Sequence, residues 1–140
     1  MFNAITHLNY LAVFVVAIAG FLLGWLWYSS VLFGKFWMVE MKITPAAIEA
    51  AKPHMARLFA MGFAFTLLST FALAVLVYAH GSGGALSGAE LGLFVGAMVV
   101  GTRYLNGSLW EQRSGRLQVI NVGHEIALFA MQGAIFGLWR

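Results

Sequence analysis

Apolar residues run almost without a break from Leu8 to Tyr28, interrupted only by Asn9. Further apolar runs cover about 58–78, 85–105 and 117–139. Each has the roughly 20 residues needed to cross a hydrocarbon core about 30 Å thick. Lipid offers no partner to an exposed backbone N–H or C=O, so each run predicts a helix. The third run is glycine-rich and carries Glu90 and Arg103 near its ends. This pattern predicts an all-α integral membrane protein: an antiparallel bundle of four transmembrane helices forming one membrane domain over residues 1–140. Between the first two runs, Thr44-Pro45 opens a short amphipathic helix, threonine being a good N-cap and proline fitting the first helical position. Pro53 ends that helix and starts the next, and Gly81-Ser82-Gly83-Gly84 reads as a flexible hairpin connection.

Composition sharpens the class. Of 140 residues, 61% are apolar and 9% charged, and the mean hydropathy is +0.85. A soluble domain carries about 25% charged residues to cover its surface, so a soluble enzyme, a disordered chain and a nucleic-acid binder are all excluded. The sequence pI of 9.6 reflects only eight Lys+Arg against five Asp+Glu. With no cysteine, disulfides, thiolate catalysis and cysteine metal sites drop out together. Ala17-Ile18-Ala19 has the small residues of a signal cleavage site, but no Lys or Arg precedes it and the apolar run continues for nine more residues. A retained first span is therefore expected.

The cations give an orientation. Lys35, Lys42, Lys52 and Arg57 lie between runs one and two, and Arg103, Arg113 and Arg116 lie between or beside runs three and four. The other connections and termini carry only Arg140. The positive-inside rule places both basic loops in the cytoplasm and both termini outside. Trp25, Trp27, Tyr28 and Trp110 then fall at the inner interface, and Tyr10, Tyr78 and Trp139 at the outer. Phe33 to Met38 reads as an interfacial segment with aromatic rings at headgroup level.

Helices in lipid associate through close approach at small residues. Run one offers Gly20 and Gly24, run two Ala56, Ala60 and Ala64, run three Gly84, Gly88, Gly92 and Gly96, and run four Gly133 and Gly137. These ridges predict a tight bundle, within one chain or between copies.

Polar groups inside a membrane are costly and mark sites. At about 100° per residue, Gln118, Asn121, Glu125 and Gln132 fall within one arc of about 60° on run four. Glu125 lies about 12 Å past Leu117 at 1.5 Å per residue. On run three, Arg103 and Asn106 fall on the glycine face, so Arg103 is the expected partner of Glu125, as a register-fixing pair or as a proton- or ion-responsive site. His124 points about 100° away from Glu125, so no diad on one face is expected. Thr66, Ser69 and Thr70 are expected to bond their own helix's carbonyls. No histidine matches His124 in depth for haem ligation, and no phosphate loop, nucleophile elbow or metal motif is present. No cofactor, metal or catalytic residue is expected.

Trp27-Tyr28-Ser29-Ser30-Val31-Leu32-Phe33-Gly34-Lys35-Phe36-Trp37-Met38, then Ile43-Thr44-Pro45 and Asn121-Val122-Gly123-His124, resemble the small bacterial membrane proteins grouped as domain of unknown function 1761. The resemblance covers essentially the whole chain. It implies a four-helix protein of the bacterial inner membrane without assigned biochemistry, and it draws attention to Trp27, Tyr28, Phe33, Gly34, Trp37, Asn121 and His124. Apart from the resemblance, Trp27 to Trp37 also reads as a plain interfacial anchor. Two functions stay open. The first is a non-enzymatic accessory or structural component of a membrane assembly, with lipid and other membrane proteins as partners. The second is a homo-oligomeric channel or small transporter. A polar stripe buried within one protomer favours the first, and a stripe facing a seam or wet cleft favours the second.

Overall fold

The computed structural model describes residues 2–139, with side chains described from residue 4 onward. Arg140, counted in the orientation argument, lies outside the described residues. Helix α1 (Phe2–Thr6) leads into α2 (Tyr10–Trp27), whose N-cap Asn9 accepts the Ala12 N–H at 3.0 Å. Two short helices follow, α3 (Gly34–Glu40) and α4 (Pro45–Ala51). Thr44 caps α4 by accepting the Ala47 N–H at 3.2 Å, with Pro45 in the first turn. A 3₁₀ turn (Lys52–His54) holding Pro53 joins α4 to α5 (Met55–His80). Gly81 closes α5 in the left-handed region (φ 73°), which glycine enters at no steric cost. Helix α6 (Ala85–Phe94) continues through one π-helical segment (Val95–Gly101) into α7 (Thr102–Trp110), and α8 (Gly115–Leu138) follows.

Four stretches are long and apolar enough to cross a membrane: Tyr10–Trp27, Pro45–His80, Ala85–Trp110 and Gly115–Leu138. The second and third extend beyond the apolar runs, because Pro53 bends the backbone without ending it and because α7 carries the third helix on to Trp110.

Helix α8 is the hub, touching α2, α3, α5, α6, the π segment and α7. Its closest neighbour is α6, running in the opposite direction. A Cβ on Gly88 would sit inside the Gly133 carbonyl, one on Gly92 inside the Phe129 carbonyl, and one on Gly137 inside the Gly84 carbonyl. The two glycine ridges therefore mesh backbone on backbone. Gly20 of α2 makes room for Leu128 and Gln132, and Gly24 for His124. The alanine ridge of α5 behaves otherwise: Ala56, Ala60 and Ala64 are exposed. Helix α5 packs instead through its other half, where Leu73, Ala74 and Val77 join Val13, Val16, Leu128 and Phe136 in the core.

One hydrogen bond crosses that core. Gln132, fully buried, donates from Nε2 to Thr70 Oγ1 at 2.8 Å. Thr66 and Ser69 bond carbonyls of their own helix, Gly62 and Thr66, whereas Thr70 accepts this bond from α8. The correction has a simple cause, since a buried amide has no water to turn to and takes the nearest oxygen. Thr70→Val would strand the amide Nε2, whose Oε1 already has no partner. The expected loss is about 1–3 kcal/mol, read as a lower thermal unfolding temperature in mild detergent. An unchanged midpoint would show that the bond stabilises nothing.

Candidate polar site at the basic end

Seven of the eight Lys+Arg lie between residues 35 and 116, at the ends of α2, α5, α7 and α8 that share the α3–α4 connection. There α2 closes when Tyr28 N–H bonds Gly24 O at 3.0 Å and the Ser29 hydroxyl bonds Leu26 O at 2.7 Å. The chain then turns back on itself. Phe33 N–H donates to Trp27 O at 3.0 Å and Gly34 N–H to Ser29 O at 2.9 Å. Gly34 is buried with no room for a Cβ, which would stand 2.6 Å from Ser29 O and closer still to Tyr28 O. Only glycine lets α3 fold this tightly beneath α2. The fold-back seats Phe33 against Trp27, with ring centroids 4.7 Å apart, and Trp37 against Tyr28 at 5.4 Å.

The start of α8 is fixed from both sides. Ser114 accepts the Leu117 N–H at 3.2 Å and donates its hydroxyl to the Glu40 carboxylate at the end of α3. One turn on, Trp27 Nε1–H donates to Ile120 O at 3.0 Å. Asn121 is buried and bridges two helices: its Oδ1 accepts from Tyr28 OH at 3.0 Å, and its Nδ2 donates to Tyr104 OH at 2.7 Å. Beyond it His124 is enclosed by Trp27 and Tyr28, ring centroids 5.9 and 5.2 Å away. His124 Nδ1 lies 3.2 Å from Glu125 Oε1. Its Nε2 is buried without a partner, facing the bare Cα of Gly24. The side chain of Glu125 is 26% exposed.

A family model for proteins of unknown function, DUF1761, matches residues 11–137. The chain belongs to the DUF1761 family. No curated protein and no solved structure matches it. In this DUF1761 chain the residues of the resemblance, which are far apart in sequence, form one unit. Trp27, Tyr28, Phe33, Trp37, Asn121 and His124 are linked ring to ring or by hydrogen bond, and Gly34 provides the turn that closes the group. Trp27 and Tyr28 face protein here, while Trp25 (68%) and Trp110 (84%) stay exposed as interfacial tryptophans do.

Two expectations need correction. Among the described residues no ion pair joins Arg103 to Glu125. Arg103 and Asn106 are both exposed. The cause is the π segment, which takes about one residue more per turn than an α-helix and rotates everything after it by roughly 100°. Buried positions thus step from Gly96 to Gly101, then to Ser108, with Tyr104 delivered to Asn121. Arg103 lines an open cleft of about 250 Å³ with Glu111 and Arg113 instead. The expected separation of His124 from Glu125 is likewise overturned at the side-chain level. The two Cα–Cβ directions diverge because α8 serves two neighbours, α2 through His124 and the π segment through the Glu125 backbone, which Gly96 approaches. Their long side chains nevertheless meet.

The polar stripe of α8 is accordingly divided. Asn121, His124 and Gln132 are buried; Gln118 is half-buried and reaches back to the Arg113 carbonyl at 3.3 Å. Tyr104 and Thr70, absent from the expected site, complete it. The signal for Tyr104 was the glycine spacing, which changes from four to five between Gly96 and Gly101. Among the described residues no group of three His, Cys, Asp or Glu could hold a metal.

Proposed function

We propose that this DUF1761 protein is a multi-pass protein of the bacterial inner (plasma) membrane that serves as a non-enzymatic accessory or structural component of a larger membrane assembly. Its four helices form an antiparallel transmembrane bundle, with the basic loops in the cytoplasm and both termini outside. One observation carries the reading. Asn121, the amide N–H of Gln132 and the indole N–H of Trp27 are bonded to partners within the same chain. Polar groups spent this way hold helix register and are not offered to a solute. The small hollow between α2, α5 and the end of α8 holds only about 10 Å³, room for about one water-sized probe.

The second reading, a homo-oligomeric channel or small transporter, draws on Glu125. Its carboxylate is part-exposed beside a histidine with a free ring nitrogen. An oligomer seam over that spot would give a polar path.

A mild-detergent pull-down of the tagged chain at native expression level, with the mass of the complex determined, separates the two. The accessory reading expects recovery with a different membrane protein at fixed stoichiometry. Recovery as a homo-oligomer alone would overturn it, and liposome flux abolished by Glu125→Gln in a folded protein would then establish the second.

A further inference from the structure

The faces around the basic end leave open grooves that combine apolar walls with an arginine: one beside Arg57, lined also by Ala51, His54, Leu58 and Met61, and one beside Arg116, which has no histidine in its lining. The Arg116 groove lies between α3 and the first turns of α8, has a volume of about 510 Å³, and is lined by Phe33, Phe36, Gly115, Arg116, Val119 and Ile120. That is within the ~300–1,000 Å³ usual for small-ligand sites. Phe36 (63%) and Val119 (74%) stand exposed on its two walls, and Ile120 (7%) forms its base.

The charges around it are unequally spent. Each carboxylate of this end already has a partner: Glu40 takes the Ser114 hydroxyl, Glu49 pairs with Lys52, and Glu111 with Arg113. Arg116, at the mouth of the groove, makes no ion pair among the described residues. A guanidinium with its donors open, above an apolar channel running down a membrane helix, matches a phosphate joined to hydrocarbon. An acidic peptide would need a row of cations along the floor, where Phe33, Val119 and Ile120 stand instead.

We propose that this groove is a binding site for one anionic phospholipid, its phosphate on Arg116 and an acyl chain between Phe33, Phe36 and Val119. The site rests on the membrane reading above. Its occupant ties α3 to α8 from outside, next to the internal link between Ser114 and Glu40.

Native mass spectrometry of the detergent-purified full chain, titrated with phosphatidylglycerol and with phosphatidylcholine of the same acyl chains, tests it. The expected result is one saturable phosphatidylglycerol site, tighter than phosphatidylcholine. Arg116→Gln should weaken it about fivefold, the value of one basic contact to an anionic surface, and weaken phosphatidylcholine less, because its choline already offsets the charge of its phosphate. Val119→Trp, which fills the groove from an exposed position, should weaken both lipids. Arg57→Gln, in the comparable groove with His54 and Met61, should change neither. Glycerol phosphate without acyl chains should not compete; competition would mean a free-phosphate site and overturn the lipid assignment. Equal binding of the two lipids would overturn the site, as would equal losses in the Arg57 and Arg116 variants, or no effect of Val119→Trp. A chain that stays monodisperse without detergent would overturn the membrane reading itself, an outcome distinct from all of these.

Discussion

Gly92→Ala is expected to separate α6 from α8 and to lower stability by about 3 kcal/mol, the upper part of the range for overpacking a filled site. The added methyl would stand inside the Phe129 carbonyl and 3.2 Å from the Ala130 Cα. Both are backbone atoms, so no side chain can turn away and the helices themselves must move apart. Gly88 meets Gly133 in the same manner one turn away, so the disturbance would spread along the ridge. Gly107→Ala is the matched control. A Cβ there meets open space, and a helical Gly→Ala change is worth about 0.5–1 kcal/mol in favour of folding. Thermal unfolding of both variants in one detergent should move the midpoints in opposite directions. Equal midpoints would mean that α6 and α8 do not approach so closely.

Asn121→Ala should have the second largest effect. It removes the acceptor of Tyr28 and the donor to Tyr104 in one step. A stranded buried hydroxyl costs about 1–3 kcal/mol. Both tyrosines are half-buried, so a total near 2–3 kcal/mol is expected. Tyr28→Phe and Tyr104→Phe should each cost about 1 kcal/mol alone. In the Asn121→Ala background each should cost nothing or restore some stability, since it removes the stranded hydroxyl. Strictly additive losses across this cycle would show that the three side chains act independently.

The helices were legible in the chain because lipid imposes one conformation on a long apolar run. The glycine ridges Gly84–Gly96 and Gly133–Gly137 were legible as surfaces of close approach, but that they meet each other is seen only in the structure. What a fixed 100° step could not anticipate is the segment after Gly96. A single extra residue in the π turn puts Tyr104 inward and Arg103 outward, and the expected partner of Glu125 is lost with it. The Gly96-to-Gly101 spacing carried that information, but only if the ridge is read as continuous. The alanine ridge of α5 misled for the opposite reason. Small residues permit close approach without requiring it, and Ala56, Ala60 and Ala64 face outward. Thr70 reads as bonding its own helix because its actual partner, Gln132, lies 62 residues away. The link between His124 and Glu125 escaped notice because helical wheels describe where side chains leave the backbone, not how far they reach.

The position of α8 at the hub has a consequence for biosynthesis. Synthesis runs from the N-terminus, so α2, α5 and α6 are made before the helix that every one of them packs against. Until α8 emerges, Thr70 lacks its glutamine, the Trp27 indole its carbonyl and Tyr28 its asparagine. The glycine ridge of α6 likewise has nothing to mesh with. Helices α2 and α5 can pair first, through Phe14, Phe21, Phe59 and Phe63, whereas the polar links and the glycine mesh of α6 close only in the late step that brings α8.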